Sequence, residues 1–465
     1  MYNVKKQKLI IMKPLEKRES WKSRTGFIFA ALGSAVGLGS IWRFPYVVGQ
    51  NGGAAFILLY LIFLALIGFP ILVAEILVGR TAQLSPFGAF KKIGKNKFWG
   101  LSGKLVIFTG LLISSFYSVI AGWMLGYLIE AISGHLSFSG ASQALEHFDK
   151  LSSSAFWSVG FHFIFMALSI LILFLGVRKG IEQKSKIMMP LLIIVVIILV
   201  VKGVTLPSAS KGLKFLLSPR WDLVTPAGIL IALGQAFFTL SLGQGTMVTY
   251  GSYLSKKEDI PKSCFPVVLL NTLIAILVGV AIFAIVFSQD LEPGAGPSLI
   301  FETLPLVFTK MKLGYVLSIF FFLLVTLAAL TSEISALEPF ISYLIDEKGW
   351  KRKKASIFTG VLAFLMGVPS ALSFGLLKRF TLFGLNFFDC LSFFSVNILV
   401  PLGGFLIVVL VSYVWGIKKA FEHLKVSKEA FFHHKPWVAW YFKVCLKYIS
   451  PILIILILLN VLGFF

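Results

Sequence analysis

Charge is what this chain has least of. Asp, Glu, Lys and Arg make up 14% of its 465 residues, where a soluble protein of this size carries about 25%. A surface wetted on all sides is thereby excluded. Cysteine is nearly missing: Cys264, Cys390 and Cys445 are scattered and fit neither a disulfide framework nor a metal cluster. No loop of the form G-x-x-x-x-G-K-[ST] occurs, which excludes ATP-driven work by this chain alone. No nucleophile–His–acid set emerges, so the chain does not read as an enzyme. The first 24 residues are basic and contain no apolar h-region, so no cleavable signal is expected.

What the chain has is apolar length. It is 57% hydrophobic with a mean hydropathy of +0.90. Runs of about 20 apolar residues, enough to cross a bilayer, recur throughout. About eleven spans are expected, at 25–48, 54–79, 105–132, 155–177, 186–203, 224–254, 264–288, 313–345, 355–375, 389–415 and 449–465. The fold class is therefore an all-α polytopic membrane protein in a lipid bilayer.

The net charge of +23 does not point to nucleic acid, because its distribution is that of a topology signal. The segments 1–24, 80–104, 178–186, 256–262, 348–354 and 418–447 hold 33 of the 43 Lys and Arg residues. The positive-inside rule makes these the cytoplasmic segments, with lipid headgroups as their second role. The N-terminus is then cytoplasmic, an odd span count places the C-terminus outside, and the expected location is the cell's inner membrane. Residues 1–24 form a basic tail and 25–465 one membrane domain. The polar, Ser-rich loop 134–154 carries no fold signal, and the longer segment 289–312 has room for short helices and a lid.

Two spans are interrupted. The first carries Gly33-Ser34-Ala35-Val36-Gly37-Leu38-Gly39 at mid-depth. Glycine costs about 1 kcal/mol per residue against alanine in a helix interior, and lipid cannot hydrogen-bond the backbone that an opened helix frees. Either the run packs helices closely, or it opens and offers carbonyls to cations and N–H groups to anions. The sixth span carries Thr239-Leu240-Ser241-Leu242-Gly243-Gln244-Gly245 at the same depth. Two breaks five spans apart are the pattern of two inverted five-span repeats with a site at their interface. Five is odd, so the halves have opposite topology. With no nucleotide loop, the energy would come from an ion gradient; one charge crossing 100 mV supplies about 2.3 kcal/mol.

Ionisable residues within spans are few, and each has two readings. Arg43 ends the first span as a gate or anion contact, or as a side chain snorkelling to headgroups. Glu75, deep in the second, reads chiefly as an acceptor for N–H groups freed by a broken helix, with a proton site as the rival. Glu333 follows the hydroxyl pair Thr331-Ser332, which suits a hard cation; Glu338 lies nearer the cytoplasm. Asn271 is a neutral oxygen ligand or an interhelical bond worth about 0.6–2 kcal/mol. His433-His434 reads as a solvated pair.

These motifs resemble the neurotransmitter:sodium symporters, with the leucine-transporter fold. The resemblance runs nearly end to end, through residues 33–45 (GSAVGLGSIWRFP), 51–54 (NGGA), 235–245 (QAFFTLSLGQG), Gly296-Pro297 and 328–332 (AALTS). It implies a 5+5 inverted repeat with broken helices 1 and 6, a peripheral helix 11, and sodium-coupled import of an amino acid by alternating access. One sodium would sit on Gly33, Val36, Ala328, Thr331 and Ser332. Another would use Ala35, Thr239, Asn271 and the substrate carboxylate, but the family's asparagine is here Ser40, so that site is expected to be weaker, rearranged or missing. One sodium is therefore expected, and two at most. The carboxylate would meet the N–H groups of Leu38 and Gly39 and the Tyr117 hydroxyl, the amino group the carbonyls of Ala35 and Phe238, with the Phe238 ring as a lid. Ile113, Ser241, Gln244, Glu333 and Ala336 would select the side chain, and Gln244 with Glu333 suggests a polar or basic one. Ala275 replaces a family ligand beside Tyr60, Gln235, Thr239 and Asn271, so chloride is not expected to be required. The family's outer-gate acid is Ser392 here, leaving Asp389 to partner Arg43. The inner gate would be Arg18 with Asp346, helped by Trp21 and Tyr253. The rival functions are a sodium-independent exchanger of this fold and a non-transporting receptor or channel; an oligomer is left open.

Overall fold

A computed structural model describes residues 18–207, 209–288, 298–425 and 430–464. Most of the basic tail, the Gly296-Pro297 motif and the 289–297 part of the expected lid lie outside the described residues. The Ser23 side chain caps the first helix by accepting from the Gly26 N–H at 3.0 Å, as short hydroxyl residues do at helix starts. That helix, α1 (Arg24–Ala35), gives way at residues 36–38 to α2 (Gly39–Gln50), bent from it by 56°. Then follow α3 (Ala54–Ala82), α4 (Lys97–Ile132), α5 (Ala155–Phe174) and α6 (Val177–Val204). The second interrupted span is α7 (Pro226–Phe238) and α8 (Thr246–Ser252), separated by residues 239–245. The chain continues as α9 (Ile260–Phe287), α10 (Gly314–Lys348), α11 (Arg352–Leu372), α12 (Phe387–Val414) and α13 (Pro436–Val461).

Nine of these helices are long and apolar enough to cross a membrane, and the bent pair α1–α2 makes a tenth. The pieces α7 and α8 are individually short and occupy the place of the expected sixth span. Among the described residues the only strands are the two-residue pair Thr381–Leu382 and Leu385–Asn386.

The broken helices sit at the centre. α1 packs on α6, α9 and α10, and α4 packs on α10 and α5. α8 lies against α3 in backbone contact: a Cβ at Gly79 would stand 1.8 Å from the Val248 carbonyl oxygen, and one at Gly251 2.4 Å from that of Ile76. Small residues at such a crossing replace the hydrophobic drive that lipid removes. Outward faces are apolar, with Phe163, Leu171, Ile197, Val201 and Ile452 each half or more exposed.

Contacts across the chain define the two ends of the bundle. Arg18, Ser85, Ser252 and Asp346 meet at one end, together with Glu19, Val177, Glu182, Glu338 and Arg352. This is the end where the basic segments gather. At the other, Thr309 bonds the Leu136 carbonyl, Tyr315 that of Ile132, and Arg220 that of Gly49.

Candidate functional site

The two breaks are tied to each other and to their surroundings by the polar groups they free. Glu75 on α3 accepts the Gly243 N–H at 2.7 Å, the role expected of it, and this gives an interrupted backbone a side-chain acceptor where water is excluded. Gly243 has φ +76°, and a Cβ there would stand 2.1 Å from the Val400 carbonyl oxygen, so only glycine fits. Ser241 donates to the Ser34 carbonyl at 2.9 Å, joining the second break to the first.

Two clusters of neutral oxygens flank this junction. In the first, the Ser332 hydroxyl reaches the carbonyls of Gly33 (3.1 Å) and Ser34 (3.2 Å). Thr331 turns to the Ala328 carbonyl at 3.0 Å. A Cβ on Gly33 would come within 2.9 Å of the Thr331 Cβ, which shows how closely α1 and α10 approach. Val36 closes α1, its N–H donating to the Leu32 carbonyl at 2.7 Å. In the second cluster Ser40 is central: its Oγ lies 3.1 Å from the Ala35 carbonyl, 2.9 Å from Thr239 Oγ1 and 3.0 Å from Asn271 Oδ1. Asn271 Nδ2 in turn donates to Thr239 at 3.0 Å. All four residues expected to cooperate there lie together around the Ser40 hydroxyl. Hydroxyl and carbonyl oxygens without net charge suit a hard cation, and either cluster could hold one.

Between the clusters lies an interior space. Ala35, Leu38, Ile113, Ala336, Gln244 and Ser241 lie mid-bundle yet keep 4–9% exposure, whereas their neighbours Leu240, Leu242 and Leu337 have none. Tyr117, Phe238 and Ser332 are half-buried around it. The Leu38 N–H donates to the Tyr117 hydroxyl at 3.3 Å. A Cβ on Gly39 would strike the Phe238 ring at 2.6 Å, so one edge of the ring presses on the start of α2. Glu333 is fully buried and turns away from this space: it accepts from Ser114 on α4, and its second oxygen has no partner among the described residues.

Arg43 does not pair with Asp389. It donates to Gln235 Oε1 at 2.9 Å and lies 5.6 Å over the Phe238 ring, and Gln235 donates onward to the Gly39 carbonyl at 2.9 Å. Asp389 is instead spent locally. Its N–H donates to the side chain of Asn386, the helix cap, whose amide bonds its carboxylate at 2.7 Å. The spacing Asn386-x-x-Asp389 just before an apolar run was the readable signal for this cap.

At the basic end the residues expected to form a gate meet. Arg18 binds both Asp346 oxygens at 2.6 and 2.5 Å, donates to Ser252 at 2.6 Å, and stands 4.9 Å over the Tyr253 ring. Trp21 donates to the Tyr250 carbonyl at 3.0 Å and meets Tyr253 edge-on. The sequence reading missed the rest of this lock. Arg352 grips the fully buried Glu338 at 2.8 and 2.6 Å, Tyr253 donates to Glu338 at 2.5 Å, Glu19 stands 3.5 Å from Arg352, and the Ser85 N–H donates to Asp346.

Discontinuous helices, oxygen clusters at their breaks, and an access lock at one end are the parts of an ion-coupled secondary transporter. The chain matches the pattern of the "Sodium:neurotransmitter symporter family" over residues 18–156 and 152–464. It is 41% identical to the uncharacterized sodium-dependent transporter YhdH of Bacillus subtilis (strain 168), covering 96% of this chain and 98% of that one. It is 35% identical to an uncharacterized sodium-dependent transporter of Haemophilus influenzae over 96% of this chain and 98% of that one. Among solved structures it resembles MhsT in complex with L-phenylalanine, with 42% identity, a TM-score of 0.87, and coverage of 96% of this chain and 100% of that one. The chain belongs to the sodium:neurotransmitter symporter family. It is an integral membrane protein with the leucine-transporter fold and a sodium-dependent transporter rather than an enzyme.

Proposed function

We propose that this chain imports an amino acid together with sodium by alternating access across the inner membrane, with its N-terminus in the cytoplasm. The observation that carries the reading is the Ser332 hydroxyl 3.1 Å from the Gly33 carbonyl: a helix broken in the membrane meets a hydroxyl pair on α10. Sodium binds there, on the carbonyls of Gly33, Val36 and Ala328 and the hydroxyls of Thr331 and Ser332. A second, weaker ion uses Ala35, Ser40, Thr239 and Asn271 together with the substrate carboxylate. That carboxylate rests on the N–H groups of Leu38 and Gly39, at the positive end of α2, with Tyr117 beside it. Chloride is not required, since Ala275 offers no ligand.

The relative solved with L-phenylalanine supports an amino acid as substrate. The side-chain preference is for a polar or basic residue. Gln244 lies among the residues around the interior space and keeps 8% exposure there. Glu333 behind it carries an oxygen in want of a donor, and a buried carboxylate left unpaired is costly. Reaching a substrate requires Glu333 to leave Ser114.

Thermal unfolding in sodium or potassium with each of the twenty amino acids tests both parts. Stabilisation by one polar or basic class, in sodium only, is expected. Stabilisation in potassium as well would favour a sodium-independent exchanger. Glu333→Ser should shift the selectivity; an unchanged panel sinks its role.

A further inference from the structure

We propose that the bundle carries a selective site for one anionic phospholipid between α6 and α10, at the end opposite the basic segments. A groove of about 380 Å³ opens there toward the membrane. Its walls are Ile197, Ile198 and Val201 on α6 and Val316, Leu317 and Phe320 on α10. It is almost wholly apolar, and it runs from residue 313 to residue 320, about 10 Å of helix at 1.5 Å per residue. That is the upper part of one leaflet, whose hydrocarbon is about 15 Å deep, and it fits an acyl chain entering from the headgroup level.

The polar end of the groove is positive. Lys202 lines it, two residues before α6 ends at Val204, which sets the ammonium at headgroup depth. On the other bank Leu313 is preceded in the chain by the exposed Lys310 and Lys312. None of the three lysines has a side-chain hydrogen bond or ion pair among the described residues. Only ten of the 43 Lys and Arg residues lie outside the basic segments; one of them, Lys202, lines the groove, and two more lie within three residues of Leu313 at its rim. Between the two banks, Leu313 adopts φ +67°, a left-handed conformation costly to any residue with a side chain, and stands 59% exposed at the groove mouth. Backbone strain of this kind collects where a ligand is clamped. An acyl chain in the groove and a phosphate held by Lys202 and Lys312 account for these features together. Such a lipid would link the ends of α6 and α10, the latter carrying Thr331 and Ser332 nearly five turns on from Gly314.

Native mass spectrometry of the purified full-length protein, titrated with phosphatidylglycerol or phosphatidylcholine of identical chains, tests this. One phosphatidylglycerol should be retained in preference to phosphatidylcholine, and each of Lys202→Gln and Lys312→Gln should cut the preference about fivefold. Val316→Trp, which fills the groove, should lose the retained lipid of either kind while keeping the wild-type melting transition. Equal retention of the two lipids by the wild type, or a preference untouched by both lysine variants, overturns the proposal.

Discussion

The two ends of the central pathway are closed by different chemistry. At the basic end Arg18 and Arg352 each hold a carboxylate with two nitrogen–oxygen contacts, and Glu338 is fully buried in doing so. At the other end Arg43 meets a neutral amide and an aromatic face. Desolvated charge pairs are costly to separate, because each partner left alone remains a buried charge. A guanidinium on glutamine and phenylalanine gives up about 0.5–1 kcal/mol of ring attraction and can then return to water. In the orientation proposed above, the stronger closure lies at the end that must stay shut against the cytoplasm while sodium loads. The end facing the incoming solute carries a closure that is easily reversed.

Mutations that weaken one end and not the other test this asymmetry. Arg352→Ala has the largest expected effect. It strands Glu338, which destabilises the closed basic end by about 3–5 kcal/mol, and it should lower the melting temperature and expose a cysteine placed at Ser342 to thiol reagents. Arg18→Ala comes next, at about 2 kcal/mol for charged hydrogen bonds to a partly exposed pair; labelling at the same cysteine should rise on the order of tenfold, with less effect on melting. Unchanged labelling in both variants would remove the charge lock from the account. At the other end Phe238→Leu should cost under about 1 kcal/mol and loosen access there alone. The smallest change is expected from Ser392→Asp. It offers an acid at a half-buried position in place of the one Asp389 does not supply to Arg43, and a pair still open in part to solvent contributes on the order of 1 kcal/mol. If it moves the open–closed balance more than Arg18→Ala does, the ranking of the two ends is wrong.

The site's framework was legible because its residues lie in short runs whose chemistry is local. Glycines at mid-span, hydroxyls at 331 and 332, and a carboxylate at 75 each announce a need that lipid cannot meet. The grouping of the second oxygen cluster was legible as well: Thr239 and Asn271 both meet the Ser40 hydroxyl. What stayed hidden depended on partners far apart in the chain. Ser85 with Asp346 and Glu19 with Arg352 are brought together by helix packing, and no spacing encodes them. Asp389 misled for the opposite reason: a local cap three residues away satisfied it before any distant arginine could. Glu333 was legible as an oddity, but its direction toward Ser114 depends on the rotation of α10 against α4.

The central claim is that sodium bound between the broken first helix and Thr331-Ser332 drives amino-acid entry. Uptake into proteoliposomes under an imposed sodium gradient, compared with potassium and with the Ser332→Ala variant, tests it most directly. Saturable accumulation with sodium alone is expected, with a rightward shift in the sodium dependence when the Ser332 hydroxyl is removed. Accumulation that is equal in potassium, or conductance without accumulation, would contradict it.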